Sequence, residues 1–408
     1  MKTRIQPGRR LAAVLLALAA SPAFAAIGTI DNTPGATLLY PHFEVDANDA
    51  NGINTVLTLQ NSSATAILAN VVLWTDYGLP TAHFNVYLTG YDQQAIDLRT
   101  IFRRVPPRTA SDGQDPNDTI SPQGRFSQDI NFASCSGLLP DAPLPISANL
   151  AAAHSGQASI DYFNGQCGAR NLGDGIARGY VTVDTVNQCT TAVPGAPGYF
   201  VNGGAGIATH QNVMYGDYVI VDPARRSTTS ETAVAIEADP TNPLTSGGAN
   251  KQTFYGRLVG FTAADNREPL PTAWAGRASA GRTDVDYWRD PGVAVAPFAC
   301  GGAPAGLPAG QKHAVRFNDA GTQTGAGAGD LFPFGGGTTT GSVLGVVDSL
   351  GWLFVNANLT APSGPLGFVR QSWLTFRQVP RGMAPGGGTY TVPGIQLGNA
   401  ATGDDPTP

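Results

Sequence analysis

NTVLTLQNSSATAILANVVLWTDYGLPTAHFNVYLTGYDQQAIDL, residues 54–98, carries the densest strand patterning in the chain and decides its fold class. It reads as four strands. NTVLTLQ ends at Asn61-Ser62-Ser63, TAILANVVLWT at Asp76-Tyr77-Gly78-Leu79-Pro80, HFNVYLT at Gly90, and a short fourth strand covers Ala95–Leu98. Each break is a cluster of turn-forming residues. In the third strand Phe84, Val86 and Leu88 alternate with His83, Asn85, Tyr87 and Thr89, the period of two expected when one sheet face is buried and the other wet. The second strand is apolar on both faces at Val71–Trp74, which predicts a position between two covering layers.

Outward from this stretch the composition repeats the message. The only glutamates are Glu44, Glu231, Glu237 and Glu268, and only Lys251 and Lys312 follow the N-terminal segment, whereas Gly numbers 51 and Pro 31. Glu and Lys cover helix surfaces, while Asp, Gly and Pro make turns, so the expectation is an all-β, loop-rich protein. Its expected form is an Ig-like β-sandwich, one large or two abutting, with long loops and at most one or two short helices. The strands of residues 26–105 form the N-terminal part. Residues 106–340 are a loop-rich elaboration or second lobe holding the cysteines, 341–400 complete the sandwich, and 401–408 are a disordered tail.

Residues 1–25 combine a basic start (Lys2, Arg4, Arg9, Arg10), the apolar run Leu11–Ala20 and the small-residue pattern Ala23-Phe24-Ala25. That is the pattern of a secretory signal peptide, and the run is too short to cross a bilayer. The expected location is the periplasm or the extracellular space. Removing four cationic residues and no acid takes the formal charge from -6 to -10. With no basic patch, nucleic acid is not an expected partner. No transmembrane segment is expected, and the partner classes left are an envelope or extracellular protein or a glycan.

Cys135, Cys167, Cys189 and Cys300 form an even set in an exported chain and are read as two disulfides. The spacing leaves three connectivities open; Cys135 with Cys167 and Cys189 with Cys300 is the expected one. Zinc is disfavoured because no CxxC pair is present and no His stands at ligand spacing beside a Cys. Calcium is the one cofactor with a candidate loop, at Asp46, Asn48, Asp49 and Asn51 before Gly52. The spacing departs from an EF-hand, and an Asx-rich turn is the competing reading.

The arginines Arg99, Arg103, Arg104 and Arg108 introduce an exposed polar run, 110–125. One helix is expected at Ser147–Gly156, with Ser147 as N-cap and His154 as a favourable charge at its end. Further strands are read at 177–189, 213–223, 231–240 and 251–261, and then at 342–360, 370–379 and 389–397. The glycine-rich region 301–340 is expected to be mobile.

Asp265, Arg267, Glu268, Trp274, Asp284, Asp286, Tyr287, Trp288 and Arg289, with Asp290, concentrate charge and aromatic rings in two neighbouring segments. Meeting in a cleft, they would suit sugar recognition or hydrolysis, with carboxylates moving protons and rings stacking on the pyranose. Alternatively, acids and arginines pair across strands while the rings fill the core. No catalytic residue is assigned. The nearest approach to a GxSxG elbow, GRASAG, has Arg277 at a required glycine, and none of His42, His83, His154, His210 and His313 precedes a Glu.

ATLLYPHFEVD, VVLWTDYGLPTAHFNVYLTGYD, ARGYVTVDTVNQC, DNREPLPTAW and GWLFVNAN together resemble a group of exported, β-rich bacterial proteins to which no activity is assigned. The resemblance covers most of the chain after the signal and implies an envelope or secreted location, with no site residues to carry over. The expected function is therefore a non-catalytic structural, adhesive or binding role. The alternative is a carbohydrate-directed protein, lectin-like or a glycoside hydrolase, using residues 265–290.

Overall fold

A computed structural model describes residues 33–105, 107, 109, 146–201, 206–242, 245–246, 251–278, 282–305, 313–318, 320–327, 335–340, 351–356, 371–379, 390–393 and 395–396. Residues 1–25, read above as a signal, the run 110–125, Cys135 and the tail 401–408 lie outside these residues.

The first nine strands are β1 (Thr37–Val45), β2 (Asn54–Asn61), β3 (Ile67–Thr75), β4 (Pro80–Leu88), β5 (Gln93–Asp97), β6 (Ala177–Val186), β7 (Met214–Asp222), β8 (Ser227–Thr232) and β9 (Val234–Ile236). They form two open antiparallel sheets, β4-β3-β6-β1-β9 and β5-β2-β7-β8. All four strands read in 54–98 are present. Only β3 and β4 form a hairpin; β2 and β5 pair with each other in the second sheet.

The two sheets share a core. Val71, Leu73, Phe84, Val86, Val181 and Val183 of the first meet Leu57, Leu59, Ile96 and Met214 of the second. In β1, Leu38, Tyr40, Phe43 and Val45 all join this core although their spacing breaks the alternation. A register shift between Tyr40 and Phe43 resets the face and takes Pro41 out of the ladder, where its missing N–H costs nothing.

The nine remaining strands are β10 (Ala273–Ala278), β11 (Arg282–Arg289), β12 (His313–Asn318), β13 (Gln323–Gly327), β14 (Gly335–Thr340), β15 (Gly351–Asn356), β16 (Ser372–Val379), β17 (Tyr390–Pro393) and β18 (Ile395–Gln396). They make two more antiparallel sheets, β13-β12-β15-β10-β18 and β14-β11-β16-β17. These sheets touch closely: a Cβ on Gly276 would come within 2.4 Å of the Phe376 ring, and the Trp274 and Trp373 rings lie 5.1 Å apart. Their second core continues onto the back of the first sheet through Leu39, Val72, Trp74 and Tyr180. β3 is thus covered on both faces, as its apolar run predicts.

Several expectations are corrected. The C-terminal strands do not complete the N-terminal sheets; they pair with 273–340, while 177–236 complete the N-terminal ones. The glycine-rich 301–340 contributes β12, β13 and β14, because a ladder needs backbone groups and Gly supplies them as well as any residue. Residues 231–240 are two strands in different sheets, parted at Ala233.

The described residues hold four one-turn helices, α1 (Leu98–Phe102), α2 (Leu150–His154), α3 (Ile160–Phe163) and α4 (Gly256–Val259), rather than one or two. The Asp97 carboxylate accepts from the Arg99 N–H and so ends β5 by capping α1. The strand expected at 251–261 is replaced by α4, which Gly260 stops at φ +67°. Asn149, not Ser147, occupies the N-cap position of α2. The face of β4 expected to be wet is dry at Asn85 and Tyr87, with His83 and Thr89 half-buried. Asn85 donates to the Thr190 carbonyl at 3.0 Å and accepts from its N–H at 3.2 Å, and Tyr87 packs with Leu68, Val186 and Cys189.

Cys167 is bonded to Cys300, which overturns the expected pairing. A backbone bridge between Cys167 and Phe298, with N–H···O distances of 2.9 and 3.0 Å, brings the two segments side by side. Cys189 is also disulfide-bonded. No helix among the described residues is long and apolar enough to cross a membrane.

Candidate functional site

The residues read as one binding cluster are all buried, and the fold divides them among separate polar groups. The first lies on the back of the first sheet. Thr37 of β1 and Asn70 of β3 stand directly opposite Asp184 of β6, so three polar side chains meet on one face. The Asp184 carboxylate accepts from the hydroxyls of Thr37, Tyr199 (3.0 Å) and Tyr255 (3.0 Å), and Asn70 donates to the Tyr199 oxygen at 3.0 Å. Arg267 closes the group, donating from Nε to Thr37 (2.9 Å), from Nη1 to the Asp265 carbonyl (2.7 Å) and from Nη2 to the Thr209 carbonyl (2.9 Å). Asp265 itself accepts from the Thr253 hydroxyl and the Tyr255 N–H. Burial pushes the Asp184 and Asp265 carboxyls up, opposed by Arg267 and the hydroxyl donors. Glu268 is buried beside this group, its N–H donating to the Glu237 carbonyl at 3.0 Å.

The second group sits at the end of the first sheet. Arg170 pairs with Asp76 and donates to the Tyr287 hydroxyl at 3.3 Å. Arg257 pairs with Asp290 at 3.1 Å and lies 5.6 Å over the Trp74 ring, while Gln371 donates to Asp290 at 3.0 Å. Trp288 stacks on Phe254 with ring centroids 5.4 Å apart, and Arg289 is buried at the end of β11. Trp274 is a core residue whose Nε1 donates to the Ser372 hydroxyl at 2.9 Å.

The third group joins the second sheet to the fourth and includes residues the sequence reading did not single out. Glu231 of β8 accepts from the Tyr218 hydroxyl of β7 (2.8 Å) and from the Thr375 hydroxyl of β16 (3.0 Å). Arg377 of β16 donates to Asp286 of β11 (3.2 Å) and lies 3.8 Å from Asp284. Burial, then the nearby Asp286, pushes the Glu231 carboxyl up to about 7. The available signal was one of only four glutamates, standing at the head of the apolar stretch ETAVAIE. This arrangement can hold a proton close to neutral pH.

Two other readings meet different surroundings. The Asp46 carboxylate accepts from the Asn48 and Asp49 N–H groups, and the Asp49 carboxylate from the Asn51 N–H, all at 2.9 Å, so the candidate calcium loop is tied as Asx turns. Among the described residues no three His, Cys, Asp or Glu side chains converge as a metal set. His154 carries no charge at the end of α2. Its Nδ1–H donates to the Arg178 carbonyl at 2.9 Å, Nε2 lies 2.7 Å from the Thr81 hydroxyl oxygen, and burial pushes its pKa down to about 4.

On the surface, Trp352 of β15 is 44 % exposed. Phe317 of β12 and Arg277 of β10 stand opposite it on the neighbouring strands, with the guanidinium 5.4 Å from the Trp352 ring centre.

Comparison with known proteins finds no family model, no curated protein and no solved structure that matches the chain.

Proposed function

We propose that this chain is an exported, non-catalytic protein of the cell envelope or extracellular space, built on Ig-like sandwiches and serving a structural, adhesive or binding role. The observation that carries this reading is the inward commitment of its mixed charged and aromatic residues. Asp265, Arg267, Asp286, Tyr287 and Trp288 lie in the interior, with hydrogen-bond, ion-pair or ring partners there. The Cys167–Cys300 disulfide supports an oxidising compartment. The test is crosslinking on intact cells. Capture with itself or with surface proteins is expected, and recovery only as a free monomer in the medium would count against the proposal.

The carbohydrate-directed alternative draws its support from the exposed Trp352 with Arg277 and Phe317 beside it, since a flat aromatic face suits a sugar ring. Under that reading Trp352→Ala abolishes retention on immobilised polysaccharide while the melting temperature stays within about 2 °C, as for most surface substitutions. Unchanged retention removes this alternative.

A further inference from the structure

Residues 46–53, which join β1 to β2, touch the core through Ala47 and are otherwise tied by hydrogen bonds. Arg99 of α1 reaches four of their carbonyls. Its Nε donates to Asp46 (3.2 Å), its Nη1 to Ala50 (2.5 Å) and its Nη2 to Gly52 (2.6 Å) and Ile53 (3.0 Å), while Arg103 donates to the Ala47 carbonyl at 3.0 Å. One guanidinium therefore grips the chain on both sides of Asn51.

Asn51 itself escapes that grip. Its backbone N–H donates to the Asp49 carboxylate at 2.9 Å, but its side chain is exposed and, among the described residues, nothing bonds its amide. Gly52 follows, and its N–H makes one long contact, 3.3 Å to the Asp49 carbonyl. An electrophilic carboxamide carbon thus stands beside a weakly restrained backbone nitrogen, in a residue with no side chain to block the approach.

We propose that Asn51–Gly52 is a self-modification site: in the folded protein Asn51 converts to aspartate and isoaspartate, and the isoaspartyl form frees the loop from Arg99. In the first step the Gly52 nitrogen attacks Cγ of Asn51. A C–N bond forms and closes a succinimide ring, the Cγ–Nδ2 bond breaks, and ammonia leaves carrying the Gly52 proton. Water then adds to one of the two ring carbonyls. Opening at Cγ leaves aspartate; opening at the main-chain carbonyl leaves isoaspartate, whose backbone runs through Cβ and Cγ. The net change consumes one water, releases one ammonia and needs no other reactant.

Either product adds a negative charge close to Asp49. Isoaspartate also lengthens the main chain by one carbon between the Ala50 and Gly52 carbonyls, the two that Arg99 holds most closely. With that spacing changed, the guanidinium no longer fits both. Asn164–Gly165, the other Asn–Gly pair among the described residues, is an internal control. Asn164 is the left-handed cap of α3 (φ +52°), and the Gly165 N–H donates to the Ser159 carbonyl at 2.9 Å, so its nitrogen is engaged.

The test incubates the purified protein, folded and in denaturant, at mildly alkaline pH in heavy-oxygen water, which marks each ring opening, and maps the label by proteolysis and mass spectrometry. In the folded protein Asn51 should take up label, and Asn164 should do so on the order of tenfold more slowly because a hydrogen bond must first break. Asn51→Gln should leave that position unlabelled. Label at Asn51 in denaturant only, or in the folded protein no faster than at Asn164, overturns the proposal. Hydrogen–deuterium exchange then compares fresh protein, aged protein and Asn51→Asp, which carries the charge without the longer backbone. Amides of residues 46–53 and α1 should lose protection in the aged sample. Aged protein as protected as fresh overturns the release from Arg99, and so does an equal loss in Asn51→Asp, which would trace it to charge.

Discussion

Arg267 is one of the largest side chains to be buried completely, yet each of its three nitrogens has an oxygen to donate to. Such a guanidinium is retained only where its desolvation is matched on all sides. Replacing it by Met leaves Asp184 without its counter-charge, and the expected loss is about 3–5 kcal/mol in chemical denaturation. Trp288 is tested in the same way. If it belongs to the core, Trp288→Ala lowers stability by about 3–5 kcal/mol; near-native stability with lost polysaccharide retention would mark it instead as a ligand contact. His154 governs the acid side. Its pKa falls from 6.5 to about 4 on folding, so its contribution is present above 6.5 and is lost as pH drops through 4. That amounts to roughly 3 kcal/mol of pH-dependent stability. The check is ring-nitrogen NMR, which should show a neutral imidazole with hydrogen on Nδ1 down to about pH 5.

Among the elements, those whose side chains alternate or run apolar were legible in the sequence: β2, β3, β4, β6 and β7 lie within a few residues of their expected positions. Elements whose ladder is made by backbone alone were not. β14 is GGGTTT, and no side-chain period announces it. The wet face expected on β4 failed for a related reason. Alternation reports which side chains are polar, but Asn85 finds its partner in Thr190, a contact 105 residues away that no local pattern encodes. The candidate site divided in the same manner. Asp265 and Asp286 are near in sequence, yet one faces the first sheet's network and the other the seam with β8. The cysteine pairing was set by the Cys167–Phe298 bridge, again a non-local contact. Replacing Cys167 and Cys300 together by Ser opens a 133-residue span and should lower stability by about 4 kcal/mol. Mass spectrometry of the alkylated, unreduced native protein should find Cys167, Cys189 and Cys300 all unblocked, and all three blocked after reduction.

At the scale of the whole molecule, the first sheet is the common wall of two cores. Residues 37–236 contain every strand of the two N-terminal sheets, but Leu39, Val72, Trp74 and Tyr180 are covered by strands that come after residue 272. A truncation ending near residue 246 should therefore retain its far-ultraviolet strand signal while binding a hydrophobic dye that the full chain excludes. A truncated chain that binds no more dye than the intact protein would show that this wall is not shared.

The position of β1 carries a further consequence, in the order of events rather than in space. It lies between β6 and β9, and Thr37 pairs with Asp184, a residue made 147 positions later. A chain emerging N-terminus first displays Leu38, Leu39 and Phe43 long before either neighbour exists. At about 5–20 residues per second of synthesis, that wait lasts on the order of ten seconds. Throughout it the strand is an open edge seeking any partner. Holding this segment apart from other nascent chains becomes a task for the cell before it is one for the fold.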